Sequence, residues 1–197
     1  MNTIQILGFT ALVLFYGSYF GKVLLQRSKG IITDRMGKGS KAKRTMLIEV
    51  ILKVVTYSMA AVQTISVIVN DGWILFINNN MIRYIGIVVS LVGVIIFVIA
   101  MITMKDNWRA GVDATQNTSM VKTGIYKVSR NPAFLGFDLF YLGFTLAFSN
   151  PLQMIYLLIC LIVFHLQILE EEKFLQNVFG QDYLLYKKST GRYFLFF

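Results

Sequence analysis

Cysteine, histidine and proline are scarce in this chain of 197 residues, which holds one Cys, one His and two Pro. A single cysteine, Cys160, excludes an intrachain disulfide and a thiolate metal cluster. With His165 as the sole imidazole, a transition-metal site would also lack its usual ligands, so we expect no metal. Acidic residues are few as well, with 10 Asp and Glu against 19 Lys and Arg, which makes the chain strongly basic.

The net charge of +9 could indicate a nucleic-acid partner. The Lys and Arg residues, however, lie between long apolar runs, and no platform of basic and aromatic residues is present to stack bases. Apolar residues make up 56% of the chain and charged residues 15%. Several apolar runs approach or exceed the roughly 18 to 20 residues that a membrane-spanning helix needs. The composition therefore predicts an integral membrane protein with no nucleic-acid partner.

Five apolar segments are predicted to cross the membrane as helices, which makes the fold class all-α. They cover residues 4–25, 46–69, 81–104, 133–148 and 152–169, and a C-terminal segment over 170–197 follows them. The first segment lacks a preceding basic residue and a small-residue cleavage site, so we interpret it as a retained helix and not as a signal peptide. The last two share a tight turn at 149–151, whose Asn and Pro favour a helical hairpin. We treat the whole chain as one domain.

Basic residues are distributed unevenly among the connecting segments. The end of the first span and the segment between the first two spans carry Lys22, Arg27, Lys29, Arg35, Lys38, Lys41, Lys43 and Arg44. The loop over 70–80 carries none. Because basic loops stay on the cytoplasmic side, we expect the N-terminus outside, and the first loop, residues 105–132 and the tail in the cytoplasm. Binding of anionic lipid is the alternative role for the first loop.

Polar residues are concentrated where two of these cytoplasmic segments meet the membrane. The loop before the fourth span reads Gly-Ile-Tyr-Lys-Val-Ser-Arg-Asn-Pro-Ala-Phe-Leu-Gly over 124–136, and three glutamates follow at 170–172. A polar side chain at the bilayer edge must find a partner or water, so this pairing predicts a site for a charged ligand. Taken alone, the glutamates could be a solvated helical turn.

Residues in these two segments follow a recognisable pattern. The first part of the pattern consists of Gly124, Tyr126, Arg130, Asn131, Pro132, Phe134 and Gly136. The second part consists of Glu171, Glu172, Leu175, Phe179, Gly180, Tyr183, Tyr186 and Arg192. Together they resemble the isoprenylcysteine carboxyl methyltransferase family of membrane enzymes. Asn107-Trp108 also looks like the asparagine or serine followed by an aromatic residue that this family has after its third span. The resemblance covers residues 106–192.

The resemblance implies a methyltransferase that binds S-adenosylmethionine in a cytoplasmic pocket, formed by the loop before the fourth span and the C-terminal helical segment. It implies cofactor contacts at Thr118, Ser119, Met120, Val121, Tyr126, Asn131, Pro132, Ala133, Phe134 and Glu171. It implies catalytic roles for Arg130, Asn131, Glu171 and Glu172. The implied acceptor is a lipid or prenylated small molecule with a carboxylate of isoprenylcysteine type. Five spans fit the smaller prokaryotic-type members, which implies a bacterial inner or plasma membrane.

Two positions depart from the family pattern. Asn131 stands where eukaryotic members have His, but an amide still donates and accepts hydrogen bonds. Gln167 stands where they have Arg, and it cannot hold a substrate carboxylate by charge. We expect Arg130 or Arg192 to supply that charge. Asp138 joins Gln167 and Arg192 as a candidate substrate residue, because a carboxylate inside the membrane needs a partner.

Other interpretations stay open at this point. A related methyltransferase could act on a phospholipid amine or another lipid nucleophile. A reductase resembling the membrane sterol reductases would need a cluster of arginines around a phosphorylated nicotinamide cofactor, and a lipid-binding scaffold would need no catalytic residues. Among the remaining polar residues, Glu49 and Lys53 lie one helical turn apart and are expected to pair with each other. His165 is expected to face the helix bundle.

Overall fold

The computed structural model describes residues 1–69, 75–111 and 119–194, and helices account for most of this part of the chain. The α-helices are α1 (Thr3–Ser28), α2 (Lys43–Val69), α3 (Asn80–Met104), α4 (Pro132–Ala147), α5 (Pro151–Phe179) and α6 (Gln181–Ser189). Short 3₁₀ turns cover Lys105–Asn107 and Gly124–Lys127. The described residues contain no β-strand, only an isolated bridge between Asp34 and Ala110. The predicted all-α architecture is therefore confirmed.

Asparagine side chains begin three of the long helices. The Asn2 carboxamide accepts a hydrogen bond of 2.9 Å from the Gln5 amide, and the Gln5 side chain returns one of 2.8 Å to the Asn2 backbone. The Asn79 side chain caps α3 by accepting a hydrogen bond of 3.2 Å from the Ile82 amide. Asn150 caps α5 and is followed by proline in its first turn. These caps satisfy amides that have no partner within the helix, and the last confirms the turn predicted between α4 and α5.

Glycines bring α3 and α4 into close contact. Gly86 and Gly93 are seven residues apart on α3, as are Gly136 and Gly143 on α4. A Cβ atom added to Gly93 would lie 2.5 Å from the Phe140 amide nitrogen, and one added to Gly136 would lie 2.8 Å from the Phe97 backbone nitrogen. Because glycine has only a hydrogen atom as its side chain, the two helix backbones pack directly against each other, as small residues allow between helices in membranes.

An aromatic core lies between α1, α3 and α4. The Phe15 ring stacks on Phe140 with centroids 3.9 Å apart, and it meets Phe137 edge-on at 4.8 Å. Phe97 of α3 packs against the same cluster, 4.9 Å from Phe15 and 5.7 Å from Trp108. Rings that interdigitate from three helices fix the helix positions, and they place residues 107–111 beside the start of α4.

Four helices within the described residues are long and apolar enough to cross a membrane: α1, α2, α3 together with the turn that follows it, and α5. The chain is thus an integral membrane protein. Helix α4 has 16 residues and spans about 24 Å at 1.5 Å per residue, less than the roughly 30 Å of a bilayer core. The fifth crossing accordingly stays a prediction.

Helix α5 continues well beyond the span predicted for it. Its 29 residues run without a break from Pro151 to Phe179 and end at Gly180, whose φ of 52° suits glycine. The three glutamates at 170–172 thus belong to the same helix as the apolar segment 152–169. Their positions are set by the packing of that segment in the bundle.

Candidate functional site

A cavity of about 310 Å³ lies among α1, α2, α4 and α5, near the ends that carry the polar loops. Most of its wall is aromatic or aliphatic. The aromatic side chains in the wall are Phe15, Tyr16, Tyr19, Phe20, Tyr57, Trp108, Tyr126, Phe134, Phe137, Phe164, Phe174, Phe179, Tyr183 and Tyr186. The volume is at the low end of the roughly 300–1,000 Å³ found for small-molecule sites, and a mainly apolar wall with few polar groups is typical of them.

Most of the residues predicted to contact the cofactor lie in this wall. They are Ser119, Met120, Val121, Tyr126, Asn131, Ala133, Phe134 and Glu171. Pro132 begins α4 beside them without contributing to the wall itself. Thr118 lies outside the described residues. Residues that are up to 52 positions apart in sequence, from Ser119 to Glu171, are thus brought together around one space.

Asn107 holds the segment over 119–121 in place. Its side chain donates a hydrogen bond of 3.0 Å to the Ser119 hydroxyl and accepts one of 3.2 Å from the Ser119 amide. Asn107 also lines the cavity. The asparagine that the resemblance singled out therefore determines where residues 119–121 enter the cavity wall.

Glu171 is a carboxylate in the cavity wall. The Gln167 side-chain amide donates a hydrogen bond of 3.0 Å to it from one helical turn earlier. In the part of the chain that the structure describes, no Lys or Arg forms an ion pair with Glu171, whereas Glu49, Glu170 and Glu172 each have a basic partner. Glu171 is thus the carboxylate that faces the cavity without a protein cation to neutralise it.

Glu172, the next residue, lies in a network of ion pairs outside the cavity wall. Its Oε1 atom is 2.9 Å from Nη2 of Arg130, and its Oε2 atom is 3.0 Å from Nη2 of Arg192. Asn131 adds a hydrogen bond of 3.2 Å from Nδ2 to the Arg192 carbonyl. The Glu172 carboxylate raises the pKa of the Arg192 guanidinium, so both groups stay charged. The network joins the loop before α4, helix α5 and the tail.

Arg130 lines the cavity, but its nitrogens are occupied by this network. Besides the Glu172 bonds at Nε and Nη2, its Nη1 donates to the carbonyls of Lys187 and Thr190 at 2.9 and 2.8 Å. An Arg with donors directed at carbonyls and a carboxylate in fixed geometry is a structural link between segments. In the structure, Arg130 therefore chiefly connects the loop before α4 to α5, to α6 and to the residue that follows α6.

Three tyrosines of the family pattern are buried beside the cavity. The Tyr186 hydroxyl donates a hydrogen bond of 2.6 Å to the Tyr126 carbonyl, which ties α6 to the turn before α4. Burial raises the pKa of Tyr126 and of Tyr183 above the ordinary tyrosine range. All three rings stay neutral at physiological pH and present aromatic surface to the cavity.

All three candidate substrate residues lie away from the wall. Gln167 is fully buried, and its Oε1 atom has no hydrogen-bond partner among the described residues. Asp138 lies one turn beyond Phe134 on α4, and its Oδ1 atom also lacks such a partner there. Like Arg192, neither residue is part of the cavity wall. His165 contacts Tyr193, with 2.7 Å between Nδ1 and the hydroxyl.

The wall contributed by α1 and α2 was not predicted from the sequence. Tyr16, Tyr19 and Phe20 follow the spacing of one helical face, which was the available signal, and Tyr57 faces them from α2. Phe20 and Tyr57 line the cavity and are 47% and 53% exposed. The cavity wall between α1 and α2 is therefore not closed by packing.

Two segments cover one end of the cavity, and we call them the roof: residues 31–37 and 107–111. The Arg35 amide donates to the Ala110 carbonyl at 2.8 Å, and the Ala110 amide donates to the Thr33 carbonyl at 2.9 Å. Gln26, fully buried at the end of α1, accepts a hydrogen bond from the Thr33 hydroxyl and donates to the Trp108 carbonyl. The first basic loop therefore forms part of the site as well as carrying the charge that predicts topology.

The expected pairing of Glu49 with Lys53 is wrong. Glu49 instead binds Lys41 at 2.6 Å, and Lys53 binds Asp34 at 2.5 Å. Both partners come from the loop between α1 and α2, which folds back onto α2. Spacing along one helix could not show this, because the loop brings closer partners to both side chains.

The sequence is similar to those of known methyltransferases. The profile of the phospholipid methyltransferase family matches residues 81–182. A protein-S-isoprenylcysteine O-methyltransferase of Saccharomyces cerevisiae is 38% identical over 73 residues, which cover 36% of this chain and 30% of the relative. The relative of that name in Xenopus laevis is 33% identical over 109 residues, covering 54% of this chain and 38% of its own.

Among solved structures, the chain resembles that of a eukaryotic intramembrane Ras methyltransferase, an isoprenylcysteine carboxyl methyltransferase. The TM-score is 0.55 at 24% identity, over 78% of this chain and 51% of the other. The two chains therefore share a fold. The chain spans well under two thirds of the length of the first curated relatives that it matches. The resemblance predicted from the two sequence patterns is confirmed.

Proposed function

The chain belongs to the phospholipid methyltransferase family, and from this membership we propose that it transfers a methyl group from S-adenosylmethionine to a lipophilic acceptor in the membrane. The acceptor that we propose is a carboxylate of isoprenylcysteine type, the class named in the yeast and frog relatives. The observation that carries the proposal is Glu171, a carboxylate without a basic ion-pair partner among the described residues, at the place where the predicted cofactor contacts converge.

The cavity offers each kind of group that this methyl donor requires. The donor has an ammonium, a carboxylate, a sulfonium and an adenine. Glu171 can bind the ammonium, and the amides in the first turn of α4 can bind the carboxylate. The rings of Tyr126 and Phe134 can pack on the adenine and near the sulfonium. When bound, the donor supplies an electrophilic methyl group on sulfur.

The protein itself needs to supply little acid–base chemistry. An acceptor carboxylate with a reference pKa of about 3.5 is ionised at neutral pH, so no general base is required. The cavity wall aligns the reacting groups, and its aromatic surface excludes the water that would otherwise solvate the carboxylate. Asn131 fits this scheme as a hydrogen-bonding residue at the start of α4, linked to Glu172 and Arg192.

The resemblance implies that Arg130 or Arg192 supplies the cation for the acceptor carboxylate, and we keep both as candidates. Arg130 lines the cavity, whereas Arg192 lies outside the wall. Both guanidiniums are bound to Glu172. An acceptor carboxylate would therefore compete with Glu172 for these arginines.

The apolar part of the acceptor enters sideways from the bilayer, since it gains nothing by leaving the membrane. The candidate substrate residues Asp138 and Gln167 would favour an entrance beside them and Phe134. Because Asp138 and Gln167 lie outside the wall, we place the entrance between α1 and α2, at the half-exposed rings of Phe20 and Tyr57. We further propose an outside N-terminus in a bacterial inner or plasma membrane, which gives the cavity access to cytoplasmic donor.

One observation favours a second candidate, a methyltransferase acting on a lipid amine. Gln167 occupies the place of an arginine in the family pattern, and it lies fully buried beside Glu171. Without a fixed positive charge at that place, the neighbourhood of Glu171 suits a cationic or neutral amine as well as a carboxylate.

The chemistry of the product distinguishes the two candidates. Purified protein in lipid nanodiscs is given methyl-labelled S-adenosylmethionine together with a prenylcysteine analogue or with phosphatidylethanolamine. A methyl ester releases labelled methanol in dilute base, whereas an N-methyl group is stable. We expect base-labile product from the prenylcysteine analogue alone. Base-stable label on the phospholipid would favour the amine acceptor, and no transfer to either acceptor despite donor binding would contradict both.

A further inference from the structure

The buried carboxylate of Glu49 is in direct contact with the roof of the cavity, although it lies outside the cavity wall. Its Oε2 atom accepts a hydrogen bond of 2.8 Å from the Gly37 amide and is 2.6 Å from Nζ of Lys41. The Glu49 side chain is fully buried and that of Lys41 is 8% exposed. A buried pair of this kind is retained where its geometry is well satisfied, and both partners here connect α2 to the first loop.

The second segment of the roof rests on the same carboxylate. Gly111 adopts a φ of 89°, and a Cβ atom added there would lie 3.0 Å from Oε1 of Glu49 and 2.8 Å from the Met36 amide nitrogen. Met36 and Gly111 both line the cavity. Glu49 thus contacts one segment of the roof by hydrogen bonding and the other by direct packing.

The roof is also connected to the residues predicted to contact the donor. Ala110 is bonded to Thr33 and Arg35, and Asn107, three residues earlier, binds both the amide and the hydroxyl of Ser119. If the loop between α1 and α2 moved relative to α2, it would therefore shift the segment over 107–111. Through Asn107, it would also shift the cavity wall at 119–121.

We propose that Glu49 is a positioning residue, which holds the roof over the cavity and thereby sets the affinity for the methyl donor. This inference rests on the proposed function. Misplacement of about 1 Å by a residue remote from the chemistry can reduce the rate by about a hundredfold, so a buried anchor of the cavity wall has a large effect without touching a ligand.

Glu49→Gln tests the proposal, because it keeps the size of the side chain and removes its charge. Glu170→Gln is the matched control. Glu170 is also buried and paired, at 2.6 Å to the Thr45 hydroxyl and 3.3 Å to Arg44, and it also links α2 to a neighbouring segment, yet it does not line the cavity or contact the roof. Each variant loses one buried carboxylate, that of Glu49 on α2 or that of Glu170 on α5, which contacts α2.

Two measurements are made on each protein in nanodiscs. Hydrogen exchange of peptides covering 31–41 and 107–111 measures how firmly the roof is held in the absence of ligand. Titration with S-adenosylhomocysteine measures the affinity of the donor site. For Glu49→Gln we expect faster exchange in both peptides and a dissociation constant raised about tenfold, with the main kinetic effect in the donor KM. For Glu170→Gln we expect neither change.

Unchanged exchange in folded Glu49→Gln, or equal changes in both variants, would overturn the proposal. If Glu49→Gln does not fold, Gly37→Ala replaces it. A Cβ atom there would lie 2.7 Å from Val50 at a φ of 67°, which displaces the loop while the charges stay balanced. If wild type does not bind S-adenosylhomocysteine, the proposed function fails, and the exchange measurement still decides whether Glu49 positions the roof.

Discussion

The side-chain amide of Gln167 donates a hydrogen bond of 3.0 Å to the Glu171 carboxylate, one helical turn further along α5. Gln167 is fully buried behind Glu171, which faces the cavity. The amide orients the carboxylate without neutralising its charge. Glu172 is in the opposite situation, since it is bound by two arginines outside the wall. Adjacent residues on a helix point about 100° apart, so neighbours can have separate roles.

Glu171→Gln should weaken the binding of S-adenosylhomocysteine by about tenfold or more. A charge-assisted hydrogen bond in a partly dry site contributes on the order of 1.5–3 kcal/mol, and the amide cannot replace it for an ammonium. Ligand-induced thermal stabilisation and calorimetric titration measure the loss. Glu170→Gln serves as control and should bind normally. Stabilisation of wild type by reduced nicotinamide phosphate cofactor and not by the methyl donor would instead favour a reductase.

Glu172→Gln should destabilise the protein by about 3 kcal/mol, because it leaves Arg130 and Arg192 without their common carboxylate in a mostly buried place. Thermal unfolding in detergent micelles measures the effect. Asp106→Asn removes the exposed ion pair with Lys29, so it should unfold close to wild type. A Glu172→Gln variant with normal thermal stability and no turnover would support the catalytic role predicted from the sequence instead.

Tyr57→Trp should hinder the lateral entrance between α1 and α2 and raise the acceptor KM several-fold, because the larger ring fills space where the cavity meets the bilayer. Donor affinity should not change. Leu24→Trp is the matched control, since Leu24 is 64% exposed on the outer surface of α1 but does not line the cavity. Equal acceptor kinetics for wild type and both variants would place the entrance elsewhere.

Cysteine labelling tests the orientation. With an outside N-terminus, Asn78→Cys should react with a membrane-impermeant maleimide from outside, and Lys122→Cys only after the membrane is opened, because basic segments stay in the cytoplasm. Cys160 is buried, so the unmodified chain provides the unlabelled background. The reverse pattern would invert the topology and remove cytoplasmic access to the cavity.

Much of the local structure follows from the sequence alone. Apolar length predicts the long helices, Asn150 with Pro151 predicts the turn before α5, and Gly180 predicts its end. Caps and glycine conformations depend on a few neighbouring residues, so a local pattern is sufficient to identify them. The two linked motifs likewise indicate most of the residues that line one side of the cavity, from Ser119 to Glu171.

Tertiary structure decided which of the polar residues face the cavity and which bind each other. The resemblance named Glu171 and not Glu172 as a cofactor contact, but helical periodicity could not separate the two, because the arginines that bind Glu172 come from the loop before α4 and from the tail. The sequence paired Glu49 with Lys53, whereas the loop between α1 and α2 folds back and provides Lys41. Such contacts depend on long-range packing of the helices, and helical periodicity carries no information about a partner on another segment.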